Sequence, residues 1–431
     1  MKRSFACVLF LLFVCLAALA QSAAPQPKPV KQLYVRCGRL IVDAEKPALT
    51  NVFVIITDGR ITSVGKDLPV PAGADIVDYS RYTVLPGLID AHIHLWTGPR
   101  NEHPSAALAA LRAQKAMQYA LSQGVVAVRV VGSGDFIDVA LSRAGDEGTL
   151  VLPHIVPGAH AITVPGGHGD FLTEPPEMPL EDYYTPMNGF VNSPAEAEKA
   201  VHLQLKYGAR VIKVLASGGV VSPLDYPTAE QLSAEELRAV VEQAHMNNVK
   251  VAAHAENIHS IMAALQAGVD SIEHGSDMNQ QALDFMKAHH VYLVPTLYIV
   301  EHSLKMGEQE HLPEYWMRKA RALAKIHFPS FDMSLKAGVT MAAGSDQSYE
   351  PGHGTVLDEV VTLVEHGMTA QQALTAATKH NSDLLGLPDL ATVSEGKEGD
   401  LVAVDGDPLS DIHVIKNVKG VVFKGKVVPA P

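Results

Sequence analysis

The chain is poor in cysteine. Only three occur in 431 residues, and two of them, Cys7 and Cys15, lie in the first twenty. With that stretch removed Cys37 has no partner, which excludes an intramolecular disulfide and a cysteine-built zinc site. Positive charge is also scarce. There are 34 Lys and Arg against 47 Asp and Glu, a formal net charge of −13. An acidic surface argues against nucleic acid or an anionic membrane as partner. Beyond the N-terminus no apolar run is long enough to span a bilayer. Internal repeats are missing too, so a structural or adhesive array has no support.

What is there begins at the N-terminus. Lys2 and Arg3 precede an apolar run from Phe5 to Leu19, and Ala18-Leu19-Ala20 offers a small-x-small cleavage site before Gln21. Residues 1–20 read as a secretory signal peptide, so the mature protein is expected to be secreted or periplasmic. Val14 stands before Cys15 where a lipoprotein cleavage site needs a small residue, which removes the lipid-anchor reading. Residues 21–31 form a Pro- and Lys-rich linker. The chain as a whole is 47% hydrophobic and 19% charged, which is ordinary globular composition.

Residues 32–82 carry short β-branched runs, two of them separated by Asp58-Gly59, a hairpin turn signal. Residues 391–431 repeat that style. The two ends are expected to form one small β-sandwich domain together. Between them, over 83–390, short apolar runs alternate with helical patterns, the sign of βαβ units. Strands are predicted at 84–94, 125–131, 151–157, 211–215, 249–254, 271–274, 291–295 and 340–344. Helices are predicted at 105–123, 194–207, 234–247, 258–267, 280–287 and 315–336. Eight such units make an α/β fold of the (β/α)8 TIM-barrel type. The Gly-, Pro- and acid-rich stretch 160–192 reads as a substrate loop.

His92 and His94 end the first predicted barrel strand, and residues two apart on a strand face one side. With 20 histidines in the chain, such a pair alone is weak. The signal strengthens because His254, His274 and Asp346 end three further predicted strands. In a barrel those ends converge on one mouth, where a cation is the natural partner for four imidazoles and a carboxylate. Lys213 sits in the apolar strand Val211-Ile-Lys-Val-Leu215. Burial favours its neutral amine. A neutral amine can take up carbon dioxide, and the resulting N6-carboxylysine carries a charge and two oxygens that suit two divalent ions.

These residues carry a resemblance. The run Leu85-Pro-Gly-Leu-Ile-Asp-Ala-His-Ile-His94, Lys213, His254, His274 and Asp346 resemble the amidohydrolase superfamily. So do Leu374-Thr-Ala-Ala-Thr378, Leu384-Leu-Gly386, Gly396-Lys-Glu-Gly-Asp-Leu-Val402 and Asp405-Gly-Asp-Pro-Leu409. Ile212-Lys-Val-Leu-Ala-Ser-Gly-Gly219 and Val164-Pro-Gly-Gly-His-Gly-Asp170 look like the branch with Xaa-Pro dipeptidases, related carboxypeptidases and ochratoxin-hydrolysing amidases. Imidazolonepropionases share much of the pattern but lack the bridging lysine. The resemblance implies that His92, His94, Lys213 and Asp346 hold one metal, and Lys213, His254 and His274 the other. Zinc is the expected ion of both, a hydroxide bridging them is the implied nucleophile, and Asp346 is the implied proton carrier. It also implies a homo-oligomer.

The expected activity is hydrolysis of a peptide or N-acyl amide next to a C-terminal amino acid, with a small-molecule substrate. His168, Tyr226 and His353 are the candidate substrate contacts. His154, His160, His289 and His290 have no assignable partner and read as structural. Two alternatives stay open: a lactonase or phosphotriester hydrolase on the same metals, and an exported metal- or solute-binding protein without turnover.

Overall fold

The computed structural model describes residues 31–95, 105–173, 179–348 and 354–429. The predicted signal peptide, linker residues 21–30 and His353 lie outside them.

The two chain ends build one seven-stranded sheet. The N-terminal end supplies β1 (Gln32–Leu40), β2 (Leu49–Thr57), β3 (Arg60–Gly65) and β4 (Ile76–Pro86). Seven barrel strands follow in the chain, and the C-terminal end then adds β12 (Leu401–Val404), β13 (Val418–Phe423) and β14 (Lys426–Val427). Their order is β14-β13-β12-β4-β1-β2-β3. Asp58 and Gly59 both take left-handed backbone, with φ of 49° and 87°, as the tight β2–β3 turn requires. Val35, Val54, Ile56, Leu401 and Val422 fill the core of this sheet.

The stretch predicted as one strand at 84–94 is two. β4 ends at Pro86 in the terminal sheet, and β5 (Leu88–Ile93) opens the barrel. Gly87 marks the crossing point. A Cβ there would lie 2.3 Å from a methyl of Val126, so only glycine lets the strands pass.

The barrel strands are β5, β6 (Val125–Val130), β7 (His154–Val156), β8 (Val211–Leu215), β9 (Lys250–Ala255), β10 (Ser271–His274) and β11 (Tyr292–Val294). All pair in parallel, in two arcs, β5-β6-β7 and β8-β9-β10-β11. Both of their faces are covered, which is why they read as unbroken apolar runs. Ile162 joins the arcs: its N–H donates to the Lys213 carbonyl and its own carbonyl accepts from Leu215, at 2.8 and 2.9 Å.

The expected eighth strand, 340–344, is not a continuous one. It is reduced to bridges from Met341 to Leu293 and from Gln347 to Ile93. Asp346 adopts φ of 55°, which bends the segment, although its N–H still donates to the His92 carbonyl at 2.8 Å. Asn381 makes up the missing bonds. Its side chain accepts from the Ala343 N–H at 3.0 Å and donates to the Ile89 and Ala343 carbonyls at 2.6 and 2.8 Å.

The predicted helices are present as Ala106–Ser122, Pro194–Tyr207, Ala234–Met246, Ile258–Ala267, Gln280–His289 and Glu314–Ala337. Side-chain caps start most of them, including a capping box of Ser233 with Glu236. The structure adds helices Ile137–Asp146, Leu297–Met306 and Val356–Glu365. The last was visible in principle, because Thr355 and Asp358 form a capping box ahead of an apolar run. Among the described residues no helix is long and apolar enough to cross a membrane.

Candidate functional site

The C-terminal ends of the parallel strands meet at one mouth. β5 delivers His92 and, one residue past its end, His94. β8 delivers Lys213, β9 His254 and β10 His274, and the interrupted eighth segment delivers Asp346. His92 and Lys213 are at most 1% exposed. His92, His274 and Asp346 direct ligand atoms that all lie within 4.8 Å of one another. The Nε2 atoms of His92 and His94 stand 3.4 and 3.3 Å from Asp346 Oδ1. The rings of His254 and His274 are 4.7 Å apart. Lys213 is close enough for its charge to act on His94, His254 and His274.

Each imidazole is oriented by its far nitrogen. His92 Nδ1 donates to Glu273 Oε2 at 2.7 Å, His94 Nδ1 to the Gly132 carbonyl at 3.2 Å, and His254 Nε2 to the Gly218 carbonyl at 3.0 Å. His274 Nδ1 pairs with Thr296 Oγ1 at 2.7 Å. A carbonyl only accepts, so the proton sits on Nδ1 of His94 and on Nε2 of His254. Their opposite nitrogens keep the lone pair. Burial pushes His94 down and holds His254 and His274 well below the usual imidazole range, so these rings are neutral. Burial opposes the charge on Asp346, but His92 and His94 outweigh it and hold the carboxyl well below the usual range.

His92 Nε2 is buried and has no hydrogen-bond partner. A buried nitrogen without a partner, beside neutral imidazoles and a carboxylate, is costly unless something binds it. It fits a divalent cation, and the far-side hydrogen bonds are those that tune metal-binding histidines. Burial also pushes Lys213 down to about 8, against the pull of Glu273 and Asp346. Its amine is therefore partly neutral near neutral pH.

Sequence reasoning missed the group behind the histidines. Arg129 donates to Glu273 Oε1 at 2.7 Å and to Ser271 Oγ at 3.0 Å. Asp90 accepts from the His92 and Ser345 N–H groups at 3.1 and 3.0 Å. A signal existed, since Arg129 and Glu273 are charged residues inside wholly buried strands. Backbone strain marks the same rim. His274, Thr296 and Asp346 take φ of 68°, 50° and 55°. Left-handed backbone is unusual for a β-branched threonine and tends to gather at functional sites.

Of the candidate substrate contacts, His168 lies against the cluster, its ring stacked on His254 at 4.3 Å. Its Nδ1 is 3.0 Å from Asp225 Oδ2, and Asp225 also receives the buried Lys319 ammonium at 3.0 Å. Gly219 passes so close that a Cβ would lie 2.3 Å from the His168 ring. Tyr226 is 57% exposed and packs against Lys319, whose Nζ is 5.3 Å from the ring centre. The described part of the 160–192 loop is pinned to the barrel by an Ile162–Val214 bridge and closed on itself by a Thr163–Phe190 bridge.

A model of the Amidohydrolase family matches residues 83–428. The chain is 32% identical to an ochratoxinase of Aspergillus niger over 413 residues, 90% of this chain and 84% of that one. A crystal structure of a Xaa-Pro dipeptidase with methionine bound in its active site superposes with a TM-score of 0.84 at 31% identity, covering 92% of this chain and 99% of the other. A prolidase complexed with N-methylphosphonate-L-proline gives 0.83 at 29% identity, with 92% and 99% covered.

Proposed function

This chain belongs to the amidohydrolase family, and from that premise we propose that its barrel mouth is a two-metal site that cleaves amide bonds next to a C-terminal amino acid. Metal-dependent amide hydrolysis in general is supported by the family and by its ochratoxinase and prolidase relatives. The narrower reading rests above all on one observation. Four histidines, a buried lysine and an ionised aspartate converge on one mouth around an orphan imidazole nitrogen.

In this reading His92, His94, Lys213 and Asp346 hold one ion, and Lys213, His254 and His274 the other. Zinc suits imidazole and carboxylate donors. When bound, the ions supply Lewis acidity toward the amide carbonyl and a lowered pKa for water. The Lys213 amine bonds to the carbon of carbon dioxide and loses a proton. The carbamate formed has two oxygens and one negative charge, enough to serve both ions. Asp346 accepts a proton on its carboxylate and delivers it to the departing amine nitrogen, a poor leaving group without it. His168, held by Asp225, would receive the substrate carboxylate, with Tyr226 and His353 as the further candidate contacts. The amino-acid ligands of the two solved relatives support a substrate with a free carboxylate. The N-terminal pattern adds export to the proposal.

The test is amino-acid release from a panel of dipeptides, N-acyl amino acids and ochratoxin. The protein is purified with zinc and bicarbonate, and Lys213→Ala is the control. Release by the wild type and none by the control is expected. A silent panel from protein that still binds two metals would overturn the reading, and lactones would become the next substrates to try.

A further inference from the structure

A second constellation lies at the opposite end of the barrel. His154 opens β7, at the N-terminal end of the barrel strands. Glu398 and Asp400 lie just ahead of β12, in the terminal sheet. His154 Nε2 is 3.1 Å from a Glu398 oxygen and 3.4 Å from Asp400 Oδ2, and the three ligand atoms lie within 4.8 Å of one another. Asp400 is 2% exposed. Its Oδ1 accepts from the Lys424 N–H at 2.6 Å, but its Oδ2 is buried without a hydrogen-bond partner, and so is His154 Nε2. Two buried polar atoms without a hydrogen bond face each other at ion-pair distance.

We propose that His154, Glu398 and Asp400 bind a further divalent cation of the zinc class, which clamps the barrel to the terminal sheet. The separations support this. Two donors each about 2.0–2.1 Å from a tetrahedral ion lie roughly 3.4 Å apart. The 3.1 and 3.4 Å separations, which the metal-free protein fills with an ion pair, are also those of an edge of such a polyhedron. The donor set of one imidazole and two carboxylates suits zinc. The Phe423 ring meets the imidazole edge-on at 5.3 Å and fixes its plane. The cations near Glu398 are Lys424 and Arg60. Arg60 is engaged by Asp389 and the Gly396 carbonyl, and Lys424 Nζ lies over the Phe423 ring. The proposal is independent of the amidase reading, because these residues are not in the catalytic mouth.

The experiment is metal analysis of the full chain after zinc loading and exhaustive dialysis, wild type against His154→Gln. The expected result is a loss of about one ion per chain with amide hydrolysis retained. Diffraction at the zinc edge on wild-type crystals provides a second readout that needs no variant. An anomalous peak between His154, Glu398 and Asp400 is expected. Equal metal content in the two proteins, or no peak there while the mouth shows its own, would overturn the proposal and leave the three residues as a protonated ion pair.

Discussion

At the scale of single residues, the histidines depend on what stands behind them. His92 is aimed by Glu273, and Glu273 is held ionised by Arg129. Burial alone would protonate that carboxyl, but the guanidinium and the His92 hydrogen bond hold it well below the usual range. Glu273→Gln keeps the shape and removes the charge. Zinc affinity at the mouth is expected to fall ~10–100-fold, as for other lost partners of metal-binding histidines. Stability is expected to fall by ~3–5 kcal/mol, because Arg129 is left buried without a counter-ion. Chelator competition and urea denaturation read the two effects. Removing both charges, with Arg129→Met and Glu273→Leu, is expected to recover most of the stability and none of the affinity. Unchanged zinc affinity in Glu273→Gln would refute the orienting role.

At the scale of elements, seven barrel strands were legible because parallel strands covered on both faces are continuous apolar runs. The eighth, predicted at 340–344, is an irregular segment that bonds Leu293, Ala91 and His92 through its backbone and is completed by a side chain from another element. Asn381 bonds Ile89 and Ala343 from a distance in sequence of 292 and 38 residues. Asn381→Leu would leave the buried Ala343 N–H without its acceptor. A loss of ~1–3 kcal/mol per orphaned group is expected, seen as a lower urea midpoint with an unchanged slope. Asp346 lies three residues further along, so amide hydrolysis is expected to fall as well. A variant as stable and active as the wild type would show that the segment holds itself.

At the scale of the whole molecule, His154 ties the barrel to the sheet made by the chain ends. Burial works against its charge, but Asp400 and Glu398 outweigh it and push the ring up to about 9 in the metal-free protein. A folded pKa above the unfolded value of about 6.5 stabilises fully below that value and is lost as pH rises through the folded one. Metal-free protein should therefore lose this stability between about pH 6.5 and 9. His154→Gln should be flat across the same window. Thermal melts across that range check it, and parallel curves for both proteins would rule out a charged His154.

The sequence by itself determined the alternation of strands and helices, the Asp58-Gly59 turn and the identity of the residues that reach the mouth. These are local properties: periodicity, turn chemistry, and a polar residue at the end of an apolar run. Tertiary structure alone decided the crossing at Gly87, the pairing of Arg129 with Glu273 and of Asp225 with His168, and the partners of His154. Glu273 meets His92 across 181 residues and Arg129 across 144. No pattern within a strand specifies such a contact. It exists because barrel closure brings non-adjacent strands face to face, and the charged residue each strand buries must find its counterpart there.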